Sequence, residues 1–355
     1  MAERWIVTGG CGFIGSNLVA SLLDDGIDVV VLDTLVRVGS ADNLAWLEAR
    51  ARERRAGRLV HVRADTRSRT DVEDAFARHG EGVTAIAHLA GQVAMTTSIE
   101  RPRYDFEVNV LGAINVLEAI RAFTPGAVAM FSSTNKVYGD LAALRHVEAE
   151  TRWTLPDHPA GLDERIPLDF HSPYGCSKGA ADQYFLDYHR IYGLRTTVFR
   201  HSSIYGGRQH ATYDQGWVGW FCGEVLRQRR EAAAGAPPRP FTISGDGKQV
   251  RDLLHADDLV SCYRLAAKAA DRCTGQAFNV GGGADSSLSL LELFAELARL
   301  TGQQAVIERL PWRASDQKVF VADCAKAKAA FGWAPRVAKG DGLERMLRWV
   351  AEGRV

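Results

Sequence analysis

The chain has 355 residues, of which 46% are hydrophobic and 24% charged, with 43 basic and 43 acidic side chains. A chain of this size is expected to hold one large unit and one smaller one. The charge balance gives no global attraction for nucleic acid or an anionic membrane. No apolar run reaches the ~18 residues of a membrane span. Neither nucleic acid nor membrane is therefore expected as a partner.

Short apolar runs alternate with amphipathic segments over the first 200 positions. The spacing predicts strands at Trp5–Thr8, Asp28–Leu32, Leu59–Val62, Ala85–His88, Val128–Phe131 and Thr196–Phe199, with helices at Phe13–Leu23, Asp71–Arg78, Asp105–Arg121 and Ala180–Tyr192. Strands separated by helices imply right-handed βαβ units and an α/β, doubly wound parallel sheet of Rossmann type. Residues 141–172, with many polar positions, are expected to form a functional loop region. Residues 231–240, rich in Ala, Gly and Pro, read as a loop. Beyond it come a strand near Phe241–Ser244 and helices near Ala256–Ala270, Leu288–Leu300 and Asp323–Phe331, with a closing helix after Gly342. The expected division is a cofactor domain over 1–200 and a discontinuous, mixed α/β substrate domain over 201–355. Segments such as 241–280 are expected to return in part to the first domain.

The first strand runs into Thr8-Gly-Gly-Cys-Gly-Phe-Ile-Gly15. Gly9, Gly12 and Gly15 lack the Cβ that would keep a backbone away from a pyrophosphate, and the helix that follows offers free N–H groups and a positive dipole end. Asp33 closes the second strand, roughly 20 residues past the turn, where a carboxylate accepts hydrogen bonds from a ribose diol and repels a 2′-phosphate. The expected cofactor is NAD.

Tyr174-Gly-Cys-Ser-Lys178 puts Tyr and Lys on one helix face. An ammonium beside a phenol favours the phenolate, so Lys178 is expected to lower the pKa of Tyr174 and make it a general base. Ser132 and Thr134 end a strand at the carboxyl edge of the sheet, where ligands bind. Leu89, Ala90 and Gln92 follow another strand and are placed along the cofactor. Asn109, inside a helical pattern, is expected to bond backbone or water there. The six cysteines are scattered with no C-x-x-C pair, so reduced cytoplasmic thiols and no metal site are expected. The few residues before Thr8 leave no room for a signal peptide.

Together these motifs resemble the extended short-chain dehydrogenase/reductases, in particular their nucleotide-sugar epimerases and dehydratases, over nearly the whole chain. The resemblance implies that Thr134, Tyr174 and Lys178 are the catalytic set and that Asp65 contacts the adenine. It places Phe13, Ile14 and Arg200 at the cofactor. Arg251 and Arg313 match positions that clamp a diphosphate, and guanidinium suits that task. Lys248, His171, Ser172, Arg208 and Asp316 complete the substrate-side candidates. The family's sugar 4,6-dehydratases carry an Asp-Glu pair directly after the Thr; here Asn135 and Lys136 stand there, and an amide neither donates nor accepts a proton for elimination. Epimerisation is the expected reaction, with tightly bound NAD recycled and no net redox. Longer strings, such as Ser132-Ser-Thr-Asn-Lys-Val-Tyr-Gly-Asp140 and Phe199-Arg-His-Ser-Ser-Ile-Tyr-Gly-Gly-Arg-Gln209, are similar to family members that invert C2 of a CDP-linked 3,6-dideoxyhexose. An epimerase of another nucleotide sugar and a non-catalytic NAD-binding sensor are the alternatives. The family commonly forms dimers or tetramers, so a homo-oligomer is expected.

Overall fold

The computed structural model describes residues 3–54, 57–312 and 316–353. Its strands, in chain order, are β1 (Arg4–Thr8), β2 (Asp28–Leu32), β3 (Leu59–Val62), β4 (Val83–His88), β5 (Val128–Thr134), β6 (Val147–Glu148), β7 (Trp153–Thr154), β8 (Arg195–His201), β9 (Ser203–Tyr205), β10 (Phe241–Ser244), β11 (Val250–His255), β12 (Gln276–Val280), β13 (Ser287–Ser289), β14 (Ile307–Leu310) and β15 (Val319–Phe320). Seven of them form one sheet in the order β12-β8-β5-β4-β1-β2-β3. Every neighbouring pair is parallel. Helices cover both faces, so the strands are apolar along most of their length rather than alternating. One face packs Val7, Leu18, Val29, Val31, Ala85 and Phe278. The other packs Ile6, Val30, Phe76, Ile86, Ile120 and Phe185. The chain order reverses between β1 and β4, which opens a crevice at the carboxyl ends of those strands.

The remaining strands build a smaller layer beside that crevice. β11 pairs with β9, β13 and β15, and β10 pairs with β14. The helices Trp217–Ala233, Leu290–Thr301 and Lys339–Ala351 close over a separate core containing Phe221, Phe241, Leu293, Phe294 and Met346. β12 joins the edge of the main sheet, and the helix Ala256–Lys268 packs against the first helix, Phe13–Asp24. Among the described residues no helix is long and apolar enough to cross a membrane.

Three elements differ from the sequence expectations in ways that matter for the site. β5 runs on through Ser132 to Thr134, because its carboxyl end stays paired with β8. The segment expected as one helix from Asp105 is instead Pro102–Phe106, a π-helical turn Glu107–Leu111, and Gly112–Phe123. The helix expected from Ala180 begins at Ser172, so Tyr174 and Lys178 lie in its first two turns. Residues 141–172 hold the β6–β7 pair, pack Leu141, Leu155 and Leu162 with Val319 and Phe320 of β15, and lead at their end into the helix of Tyr174.

Candidate active site

The glycine turn meets the steric demands read from its spacing. Gly9 has φ +68°, and a Cβ there would lie 2.7 Å from the Ala90 nitrogen. A Cβ on Gly15 would lie 2.2 Å from the Gly9 carbonyl oxygen. Gly12 differs: its φ of −71° suits any residue, and its Cβ would touch only the Gly9 oxygen, at 3.2 Å. No side chain caps the helix that starts here, so the N–H groups of its first turn remain for a ligand. The Asp33 carboxylate is fixed at the end of β2 by the N–H of Cys11, at 2.9 Å, and of Leu35, at 2.8 Å. Each oxygen keeps lone-pair capacity for one further donor, which is what a ribose diol requires. This cradle and carboxylate fit a dinucleotide. Cys11 is inert, because burial first and the Asp33 charge second push its thiol far up.

Asp65 stands at the carboxyl side of β3, with its carboxylate gripped by Arg67 in three contacts of 2.6–3.1 Å. Its side chain is thus committed to Arg67, which contacts both carboxylate oxygens.

Leu89 and Ala90 follow β4, where Leu89 N–H donates to the Thr8 carbonyl. Gln92 and Asn109 turn out to be fully engaged in the protein. The Gln92 N–H donates to Asn109 Oδ1 at 2.9 Å, and Asn109 Nδ2 donates back to the Gln92 carbonyl at 3.0 Å. Both amides also donate to Asp105, at 2.7 and 3.2 Å, and Ser177 donates to the same carboxylate at 2.5 Å. Asp105 is wholly buried. Sequence reasoning missed it; its one signal is the four-residue spacing to Asn109.

Thr134, at the tip of β5, and Tyr174 line the same cavity. Lys178 lies one turn along the helix, its ammonium 4.3 Å from the centre of the Phe131 ring. The electrostatics differ from the sequence expectation. Burial pushes the Tyr174 phenol up to about 12, against the pull of the neighbouring Thr134 hydroxyl, and the Asp105 charge adds to the rise. Burial pushes Lys178 down to about 7, opposed by Asp105 and then Asp182. In the nucleotide-free protein Lys178 therefore does not lower Tyr174. Desolvation penalises both charged forms, and a sequence carries no measure of it. His201 is likewise no base. Burial, then Lys178, push it to about 3, and its ring nitrogens meet Ser132 and Tyr263, both at 3.3 Å.

A cavity of about 380 Å³ opens from this pair toward the smaller layer. Phe13, Ile14, Ser132, Thr134, Tyr174, Arg251 and Asp316 all line it, together with Lys136, Trp217 and Trp220. Arg251 donates to Asp316 at 2.7 Å, and Lys136 reaches the same oxygen at 3.2 Å. Asn135 is turned into the wall, where its amide donates to Gln317 at 3.1 Å.

Other candidates sit elsewhere. Arg200 is buried in a two-pronged ion pair with Asp182, at 2.9 and 3.0 Å, and donates to Tyr138, so it braces the sheet below the cofactor crevice. Arg208 is held over the rings of Trp46 and Trp349, at 4.0 and 4.9 Å. Lys248 pairs with Glu148 at 2.8 Å. His171 lies between Asp169 and Asp140, at 3.1 and 3.5 Å, and the Ser172 hydroxyl accepts the Gly175 N–H. Neither lines the cavity; they organise the start of the Tyr174 helix. Arg313 lies outside the described residues.

The chain matches the GDP-mannose 4,6 dehydratase family over residues 6–346. It is 51% identical to CDP-paratose 2-epimerase of Salmonella typhi over 98% of this chain and 99% of the relative. It is 32% identical to UDP-glucose 4-epimerase of Mycolicibacterium smegmatis over 98% of each chain. Among solved structures, UDP-glucose 4-epimerase of Thermus thermophilus in complex with NAD aligns with a TM-score of 0.77 and 29% identity, covering 98% of this chain and 99% of that one. A cradle for a dinucleotide, a Tyr–Lys pair at its rim and a cavity ending on a guanidinium thus sit on a chain that belongs to the GDP-mannose 4,6 dehydratase family of short-chain dehydrogenase/reductase-type enzymes.

Proposed function

We propose that the protein is an NAD-dependent isomerase that inverts C2 of a CDP-linked 3,6-dideoxyhexose, as its relative from Salmonella typhi is named to do for CDP-paratose. One observation carries the choice of epimerisation over the elimination in the family's name. Of the pair that follows Thr134, Asn135 is buried and bonded to Gln317, and Lys136 is bound to Asp316. Neither is a carboxyl group, so the two positions after Thr134 supply neither the acid nor the base that loss of water requires.

The cradle of Gly9, Gly12 and Gly15, the first-turn N–H groups and Asp33 would hold NAD. NAD held there would supply a reversible hydride acceptor for C2 of the sugar. Tyr174 removes the proton of the C2 hydroxyl and gives it back, with Thr134 aligning the oxygen. A positive charge on the oxidised cofactor would favour the phenolate of Tyr174 and so oppose the rise that burial imposes. Arg251 grips the diphosphate, drawing away from Asp316, and so tethers the sugar while it turns over. In this reading residues 1–200 serve the cofactor and 201–355 mainly the nucleotide sugar. The setting is the cytoplasm, where thiols such as the six free cysteines persist. A second copy would pack on the helices Gly112–Phe123 and Ser172–Tyr192, which expose Phe123, Tyr184 and Ile191.

The test is incubation with CDP-, UDP-, GDP- and dTDP-linked sugars, followed by proton NMR. Interconversion of CDP-paratose and CDP-tyvelose is expected. Faster turnover of a UDP-sugar, or release of a 4-keto-6-deoxy product, would overturn the assignment.

A further inference from the structure

Asp105 is a charged group that the reaction as derived above does not use. Its carboxylate has no exposed surface and receives only donors: Gln92 from the loop after β4, Asn109 from the π-helical turn, and Ser177 from the catalytic helix. Three donors satisfy an ionised carboxylate, and none of them is a cation that would neutralise it. Ser177 is the residue before Lys178, and the contact joins the short helix Pro102–Phe106 to the helix Ser172–Tyr192. The π-helical turn spaces Asp105 and Asn109 so that both face the same loop and the same serine, a placement in keeping with the concentration of such turns at functional sites.

We propose that Asp105 is a positioning residue for the Tyr174–Lys178 pair. Its three hydrogen bonds lock the cofactor loop to the catalytic helix, and its buried charge favours the ammonium form of Lys178 against burial. The proposal rests on the reading of that pair as the proton-transfer machinery. The charged and titratable groups around Lys178 are few. A Cβ on Gly91 would lie 3.0 Å from Asn109 Oδ1 and 3.7 Å from Lys178 Nζ, so the ammonium sits at the very loop that Asp105 holds, with Asp182 on its own helix and His88 on β4 and His201 on β8 as the other titratable neighbours. Asp105 in turn faces Lys178 and Tyr174. The two aspartates therefore set the charge of Lys178 against its burial, and only Asp105 also ties down the loop.

The experiment follows the Lys178 methylene beside its amine by carbon-13 NMR, in protein freed of nucleotide and assigned with Lys178→Arg. The midpoint in the unaltered protein should lie near 7. Asp105→Asn keeps the shape and lets Ser177 reverse its hydrogen bond; the midpoint should fall by about one unit. Ser177→Ala removes one hydrogen bond and keeps the charge, and should move the midpoint by less than ~0.3 unit. In turnover, the acid limb of the kcat/KM profile of Asp105→Asn should move to lower pH as well, since Tyr174 also loses a neighbouring negative charge. An unmoved midpoint in Asp105→Asn, or an equal fall in Ser177→Ala, overturns the proposal. If Asp105→Asn fails to fold, Asp105→Glu should retain the midpoint. The Asp105 carboxyl signal of the unaltered protein must then also show the ionised form at pH 7; a protonated carboxyl overturns the proposal. The titration needs no sugar. An enzyme that epimerises CDP-paratose with an unmoved midpoint sinks this proposal alone, and a protein inert toward CDP-sugars with a midpoint that shifts sinks only the substrate assignment.

Discussion

Gly12→Ala separates what the glycine turn does for the fold from what it does for the cofactor. At Gly12 the backbone already has φ −71°, which alanine adopts without strain. The new methyl would touch only the Gly9 carbonyl oxygen, at 3.2 Å, a contact relieved by a shift of a few tenths of an ångström. Stability should change by less than about 1 kcal/mol. The same methyl stands before the uncapped N–H groups of the first helix. Loss of one charge-assisted hydrogen bond to phosphate costs about 1.5–3 kcal/mol, or roughly 10- to 150-fold in affinity. Gly15→Ala is the contrasting case. Its methyl would lie 2.2 Å from the Gly9 oxygen and 2.6 Å from the Gly10 Cα, so the turn itself must move. That variant should lose about 1–3 kcal/mol of stability as well as NAD affinity. The assay is calorimetric titration of NAD into nucleotide-stripped protein, paired with urea unfolding. Gly12→Ala protein that binds NAD as tightly as the unaltered chain would refute the placement of the pyrophosphate.

Tyr174→Phe should lower kcat by about 10²- to 10⁴-fold in the NMR epimerisation assay while NAD stays bound by calorimetry. Lys178→Met should stabilise the nucleotide-free protein in acid. The folded pKa, about 7, lies below the ordinary 10.5, so the folded chain binds fewer protons and its penalty is full below pH 7 and fades as pH rises toward 10.5. Urea unfolding should show a gain of ~2 kcal/mol or more at pH 6 and none at pH 10.5. Asp182→Asn leaves the Arg200 charge buried without its counter-ion and with one of the two hydrogen bonds to this side chain lost, and should cost about 3–5 kcal/mol in the same unfolding assay. Arg251→Lys should raise KM for the nucleotide sugar by roughly tenfold or more with a smaller change in kcat, because a point charge replaces a two-pronged phosphate grip.

The residues that were legible in the sequence are those whose role is written in local spacing. A strand that breaks into glycines and then a helix has few other readings, and the Asp33 and Tyr174–Lys178 positions follow from strand ends and helical periodicity. Arg251 and Asp316 came from resemblance and do line the same cavity. The residues misplaced by sequence reasoning are long or polar side chains whose partners lie far along the chain. Arg200 is claimed by Asp182, Lys248 by Glu148, and Arg208 by two tryptophans from opposite ends of the protein. Gln92 was placed along the cofactor, yet its amide binds Ala94 and Asp105; Asn109 bonds backbone as expected, at the Gln92 carbonyl, and Asp105 as well. The direction of the Tyr174 shift was lost for a related reason: it is set by how completely packing excludes water, and no spacing encodes that. The π-helical turn at Glu107–Leu111 has the same apolar pattern as the helices that flank it, so periodicity reads all three as one.

The most direct test of the account uses CDP-paratose carrying deuterium at C2, turned over in ordinary water and examined by NMR and mass spectrometry. In the proposed reaction Tyr174 acts on the hydroxyl proton alone, and the hydrogen on carbon leaves and returns as hydride without meeting solvent. The CDP-tyvelose formed should therefore keep its deuterium at C2. Product that has exchanged that deuterium for solvent hydrogen would contradict the account and point to removal of the C2 hydrogen as a proton.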